Sequence, residues 1–196
     1  LVGSEMCIRD RYDAEDVIRK MQRDSIHWRA QKEWDYTYAD YYIHTGDFEQ
    51  AIPYLRKVIK HEMRRKQKAR EWFLLGQLLA ATGKKQEAYK AFKHVTRLNP
   101  PYELEFNARI SMTEVMARGN AKQMISRLKR MAASDNNKEY LDQIYYAIGN
   151  IYLNEKDTVQ AISAYEKGNA KATRSGIEKG VLLLHLGDLY WGMEKY

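Results

Sequence analysis

Hydrophobic and polar positions along this chain alternate between two textures. Aromatic-rich stretches, among them residues 34–42 and 140–152, are each followed, after a short polar turn, by a stretch whose apolar side chains recur every three or four residues. Ala51, Leu55, Val58 and Ile59 make one such face, and Ala88, Phe92 and Val95 make another. Residues three and four apart share a helix face, so both textures read as helices. The expected fold class is all-α.

The helices pair. Gly46, Gly83 and Gly119 lie 37 and 36 residues apart, and the same step reaches Lys156 and then Glu194. A fixed period of this length is the signature of a stacked repeat architecture. Three turns are followed by Asp47 with Gln50, Asn120 with Gln123, and Asp157 with Gln160. Each is an expected capping pair for the free N–H groups at a helix start. Each repeat therefore reads as helix, tight turn, helix, with a period of about 37 residues.

The second full unit carries the pattern most completely. With Ala69 as position 1, Trp72, Leu75, Gly76, Leu79, Ala88, Phe92, Val95 and Pro100 fall at positions 4, 7, 8, 11, 20, 24, 27 and 32, with Gly83 at the turn. From Asp142 the series repeats as Tyr145, Ile148, Gly149, Tyr152, Ala161, Tyr165 and Gly168. From Lys32 it runs Tyr38, Ala39, Tyr42, Gly46, Ala51, Leu55 and Val58, with Asp35 where an aromatic is usual. This pattern resembles the tetratricopeptide (TPR) repeat family, whose fold is a right-handed α-solenoid. Small residues at positions 8, 20 and 27 let paired helices approach closely while large ones fill the groove between them. Most of the fifteen tyrosines are then expected in the core.

The repeat register divides the chain into units 32–68, 69–104, 105–141 and 142–179. Unit 105–141 puts Met112, Met124 and Met131 at the three positions that should be small, so its helices are expected to sit further apart, with adaptable methionines filling the gap. Pro53, inside a second helix, forfeits a backbone hydrogen bond and is expected to kink its outer face. Ala14, Ile18 and Met21 stand one period before Ala51, Leu55 and Val58, so 13–31 reads as the second helix of a truncated repeat plus a connection. Residues 180–196, with Leu183, Leu186, Gly187 and Tyr190 in register, read as the first helix of another truncated unit. Residues 1–12 match no repeat position and read as a non-native leader on an internal fragment. Cys7 lacks the preceding apolar stretch and small residue of a lipoprotein acylation site.

Composition narrows the chemistry. Hydrophobic residues at 44% and charged residues at 30%, with three prolines, suit an ordered helical protein, and one cysteine excludes an internal disulfide framework. The longest apolar run, 180–186, is far too short to cross a bilayer. His61-Glu62 begins like a zinc-protease helix, but Arg65 stands where the second histidine belongs. Leu78 replaces the glycine that a phosphate loop would need before Gly83-Lys84. The five histidines have no ligand spacing, and no serine or cysteine sits in a nucleophile elbow. No catalytic residue, metal or cofactor is expected, and the chain reads as a non-enzyme.

What remains is surface. TPR arrays line a concave groove with positions 2, 5, 9, 12 and 13 of their first helices. By resemblance the protein-binding groove takes in Tyr36, Asp40 and His44; Arg70, Phe73 and Gln77; Arg109 and Thr113; Gln143, Tyr146, Asn150 and Asn154; and Asp188. Rings supply contact area and amides pair with backbone, so a peptide or a partner helix is the expected ligand. The lysine-and-asparagine clamp for a C-terminal carboxylate is not reproduced, which disfavours chaperone tails. Residues 56–70 hold eight basic residues against Glu62 alone, matching the whole net charge of +7. Arg56, Lys57, Lys60, Arg64, Arg65 and Lys68 are expected as an outer basic stripe on a second helix, either simply solvated or docking an acidic protein surface or anionic lipid heads. Nucleic acid is not expected, because no aromatics interleave these charges.

Four stretches, 31–41, 99–109, 140–150 and 176–180, resemble the large TPR lipoproteins of Bacteroidetes associated with gliding motility and type IX secretion, of the PorW or SprE kind. The resemblance implies a protein-interaction scaffold with secretion-system components as partners. It implies a place on the periplasmic face of the outer membrane, with membrane contact only through a lipid anchor outside this sequence. The alternative is a generic TPR adaptor, which could be cytoplasmic.

Overall fold

The computed structural model describes residues 15–20, 27, 30–117, 119–173 and 176–193. The reading of 1–12 as a leader, with Cys7, lies outside them, as do Ala14 and Met21. Residues 15–20 are helical, with Ile18 buried.

Among the described residues nine further α-helices follow. They are α1 Gln31–Thr45, α2 Phe48–His61, α3 Arg65–Ala81, α4 Lys85–Arg97, α5 Tyr102–Met116, α6 Ala121–Ala132, α7 Leu141–Asn154, α8 Thr158–Lys171 and α9 Ile177–Gly192. A 3-10 turn, Asp135–Tyr140, leads into α7. The fold is all-α, a stack of TPR helix-turn-helix units in which each helix packs on the next in the chain. The first helices α3, α5, α7 and α9 also touch in succession and form one face of the stack.

The turns explain the period. Gly46, Gly83 and Gly119 have φ of 83°, 75° and 83°, the left-handed region that glycine enters without a side-chain clash. Lys156, the fourth position in the series, adopts φ 64° as well. The backbone therefore keeps the same reversal where the glycine is missing. Of the three expected capping pairs only one forms, Asp157 Oδ1 accepting from the Gln160 N–H at 3.0 Å. Asp47 and Asn120 make no side-chain cap. At Asp47 the carbonyl accepts instead, from the N–H groups of Gln50 and Ala51. Pro53 sits on the exposed side of α2.

The packing code is visible in the core. Gly76 lies against the buried Phe92, and Gly149 against the buried Tyr165, so that a ring rests directly on the backbone of the facing helix. Unit 105–141 lacks this close approach. Met124 is buried, but Met112 and Met131 are only half-buried, and α5 and α6 pack together less extensively than α1 with α2, α3 with α4 or α7 with α8. The hydrophobic core divides along α5. Ala108 joins the cluster formed by the first two units, while Phe106 and Ala117 join the cluster that continues through α7.

Candidate protein-binding groove

The first helices present most of the expected groove residues, but they do not form one continuous site. On α1, Tyr36 is 55% exposed and lines a cleft of about 480 Å³ with Thr37, Glu62, Gln67 and Glu71. Asp40 and His44 are exposed and engage each other, with His44 Nδ1 at 2.9 Å from the Asp40 carbonyl and 3.5 Å from its carboxylate. On α3, Arg70 and Gln77 are exposed, whereas Phe73 is half-buried with its ring 5.5 Å from that of Phe92. Phe73 is therefore largely a core side chain. Asp188 on α9 is exposed.

The best-assembled part lies further along. Tyr146, Asn150 and Asn154 on α7 meet Glu114 of α5 and His185 of α9 around a cleft of about 340 Å³. Three consecutive first helices supply it, because residues four apart on α7 project from one side. Tyr146 stacks on Tyr165 at 5.6 Å and meets His185 edge-on at 5.4 Å, its hydroxyl 3.3 Å from His185 Nε2. Behind them the fully buried Tyr165 donates its hydroxyl to Asn150 Oδ1 at 2.6 Å. That bond fixes the Asn150 amide with its NH₂ group remaining as a donor. Burial pushes the Glu114 carboxyl above the usual carboxylate range, opposed by a hydrogen bond from Asn150, and burial likewise pushes the Tyr165 hydroxyl up. The cleft thus offers a held amide, a phenol, an imidazole and a carboxyl in a half-buried setting suited to pairing with a peptide backbone. Gln143, half-buried near the start of α7, is not among its lining residues.

Arg109 and Thr113 are placed elsewhere. Thr113 is 5% exposed and donates its hydroxyl to the Ile110 carbonyl at 2.6 Å, while Arg109 pairs with Glu105 at 2.6 Å. Both line a cleft shared with α6, away from Tyr146. Sequence reasoning missed Glu114 and His185, which stand at positions 10 and 6 of their units, outside the five ligand-facing positions of the family pattern. Their contribution depends on how neighbouring first helices are rotated, and no signal in the repeat reports that.

The basic stripe needs correction. It is not one helix face, because α2 ends at His61 and Arg65 and Lys68 belong to α3, with Arg64 preceding it. It is also partly answered from within. Arg56 pairs with Glu87 at 2.5 Å, Lys57 with Asp35 at 3.6 Å, Arg64 with Glu62 at 3.2 Å, and Lys68 donates to the Glu62 carbonyl at 3.1 Å. Lys60 and Arg65 stay exposed. The breaking residue is the single acid of the run. Glu62 is 3% exposed and collects Arg64 and Lys32, so the Arg64 hydrogen bonds hold its carboxyl down at about 2 against an ordinary 4.5. A depressed folded value stabilises the fold above about pH 4.5, and that contribution is lost as pH falls towards 2. Arg64 is exposed and Lys32 half-exposed, so screening reduces the effect to about 1 kcal/mol. Glu62→Gln is expected to be less stable than the parent by that amount above pH 5, with the gap closing in acid. Paired denaturant titrations across pH check this, and a gap independent of pH would contradict it.

Among the described residues no helix is long and apolar enough to cross a membrane, and no group of three or more His, Cys, Asp or Glu side chains could hold a metal.

Tetratricopeptide repeat models match residues 69–102 and, as a second variety of the repeat, residues 36–60 and 142–169. No curated protein sequence matches. Among solved structures the chain resembles MamA at 23% identity and a TM-score of 0.50, covering 80% of this chain and 85% of that one. MamA 41-end from Desulfovibrio magneticus RS-1 matches at 21% identity and 0.53, covering 84% and 86%. BtubC from P. vanneervenii matches at 15% identity and 0.55, covering 95% and 84%. At these identities the likeness is one of fold.

Proposed function

We propose that this array of tetratricopeptide repeats is a protein-interaction scaffold that holds a partner segment in the cleft built by α5, α7 and α9. The observation that carries the reading is the convergence of Glu114, Tyr146, Asn150, Asn154 and His185 from three successive repeats. Tyr146 contributes ring area, and the hydrogen-bonding groups around it satisfy an extended backbone or the polar edge of a helix. A screen of the full chain against an array of natural peptides tests it. Peptides bound by the parent chain should lose at least tenfold in affinity against Tyr146→Ala/Asn150→Ala. Undiminished binding by that variant would remove the groove assignment.

The finer reading is that the scaffold serves the type IX secretion and gliding machinery on the periplasmic face of the outer membrane. Its support is the likeness of the stretches 31–41, 99–109, 140–150 and 176–180 to the lipoproteins of that system. Co-purification of the protein with secretion components is the expected result, and normal secretion in a strain lacking it would refute the assignment.

A further inference from the structure

The unit that breaks the packing code also carries unanswered positive charge. Helix α6 carries Lys122, Arg127, Lys129 and Arg130 and no acidic residue. None of these four forms an ion pair or a side-chain hydrogen bond with a described residue. All four are exposed. This contrasts with residues 56–70, where Glu87, Asp35 and Glu62 meet three of the basic side chains, Arg56, Lys57 and Arg64. The conspicuous basic run of the sequence is answered by carboxylates at Arg56, Lys57 and Arg64, and the less conspicuous one by none among the described residues.

Two of these cations border an opening. Arg127 and Arg130 of α6 and Arg109 of α5 line a cleft of about 470 Å³ whose other walls are Met112, Thr113 and Met131. The opening has a packing cause, since Met112 and Met131 stand where small residues would bring the two helices together. A second cleft of about 420 Å³ shares Arg109, Arg130 and Met131 and continues towards Tyr102 and Phe106. Among the described residues the only carboxylate lining these two clefts is Glu105, already bonded to Arg109.

We infer that the cleft between α5 and α6 is a second binding site, which takes an acidic segment of a partner protein with its carboxylates on Arg127 and Arg130 and an apolar side chain between Met112 and Met131. Guanidinium groups pair carboxylates in bidentate geometry, and methionine adapts to varied apolar shapes. Charge complementarity selects the occupant, because a cationic segment would meet three arginines and a single acid already in use. A protein is favoured over nucleic acid because, among the described residues, no aromatic ring lines the Arg127 cleft to stack a base, and Tyr102 and Phe106 of the adjoining cleft pack on Tyr140. The inference rests on the scaffold reading but uses residues outside the Tyr146 cleft, so the two can fail separately.

The test uses the full chain and a fluorescein-labelled peptide of alternating glutamate and leucine, read by anisotropy at physiological salt. Binding is expected to fall at least fivefold in Arg127→Gln/Arg130→Gln. It should change less than twofold in Lys60→Gln/Arg65→Gln, which removes the same charge from exposed sites elsewhere, and in Tyr146→Ala/Asn150→Ala. With methyl-labelled methionine, the peptide should shift Met112 and Met131 and leave the exposed Met63 unmoved. Equal losses in both charge variants would overturn the site in favour of general electrostatics, and loss in the Tyr146 variant would move the peptide to the first groove. No binding of the peptide, or binding of a single-stranded oligonucleotide that Arg127→Gln/Arg130→Gln abolishes more strongly, would also overturn it.

Discussion

Gly149→Ala is expected to destabilise the array by about 2 kcal/mol, although alanine is the better helix former. The added Cβ would lie 2.2 Å from Tyr165 Cε1 and 2.5 Å from Cδ1, distances that no side chain tolerates. The ring has no room to move, since Tyr165 is fully buried, stacked on Tyr146 and held by its hydroxyl to Asn150. Overpacking of this kind costs about 3 kcal/mol, and improved helix propensity returns up to about 1 kcal/mol. The same position of the last unit supplies the control. Around Gly187 nothing lies within 4 Å of an added Cβ, so Gly187→Ala should be neutral or stabilising by up to about 1 kcal/mol. Thermal melts of the two variants should move in opposite directions, the first down by roughly 4 to 8 °C. If both moved together, helix propensity rather than ring-on-backbone packing would govern this position. Gly76→Ala, with Phe92 Cε1 at 2.5 Å, should follow Gly149→Ala.

Asp35→Leu is expected to act in the stabilising direction, by about 2 kcal/mol. Asp35 occupies the place that Trp72 and Tyr145 fill in the better-formed units, yet it is 1% exposed. Its Oδ2 makes no hydrogen bond, while Oδ1 accepts from Gln31 at 3.2 Å and lies 3.6 Å from Lys57 Nζ. A buried carboxylate with half its acceptors unused forfeits solvation that these partners only partly replace. Leucine removes that deficit and adds apolar contact next to Tyr38 and Ala39. Lys57 loses little, being 55% exposed and already seated over the Tyr54 ring at 5.1 Å. Denaturant unfolding should show a higher midpoint at unchanged slope. A lower midpoint would mean that the Lys57 and Gln31 contacts hold α1 on α2 more strongly than the buried oxygen weakens it.

Both predictions use positions that the repeat pattern marks, and they show how far that pattern reaches. Gly46, Gly83 and Gly119 were legible as turns because a left-handed backbone selects its residue locally, and Lys156 was legible only by counting. Gly76 with Phe92 and Gly149 with Tyr165 were legible as close contacts because each pair recurs at the same spacing. The binding face was partly legible. Tyr146, Asn150 and Asn154 converge, whereas Thr113 turns inward and Phe73 joins the core, since a position number fixes the side of a helix but not how deeply its neighbours cover it. Glu114 and His185 entered the cleft from outside the family's ligand-facing positions.

Charge divides along the same line. The sequence by itself determined an all-α stack of TPR units, its turns, and the loosened fit of Met112, Met124 and Met131, because helix periodicity and turn conformation are set within a few residues. Only the tertiary structure decided which charges have partners. Arg56 meets Glu87 of the next unit and Lys57 meets Asp35 of the preceding helix, while Arg127 and Arg130 meet no acid among the described residues and border an opening. Ion pairs act over a few ångströms between residues that may be far apart in the chain, so the order of residues shows which charges exist and the packing of helices shows which of them remain unanswered.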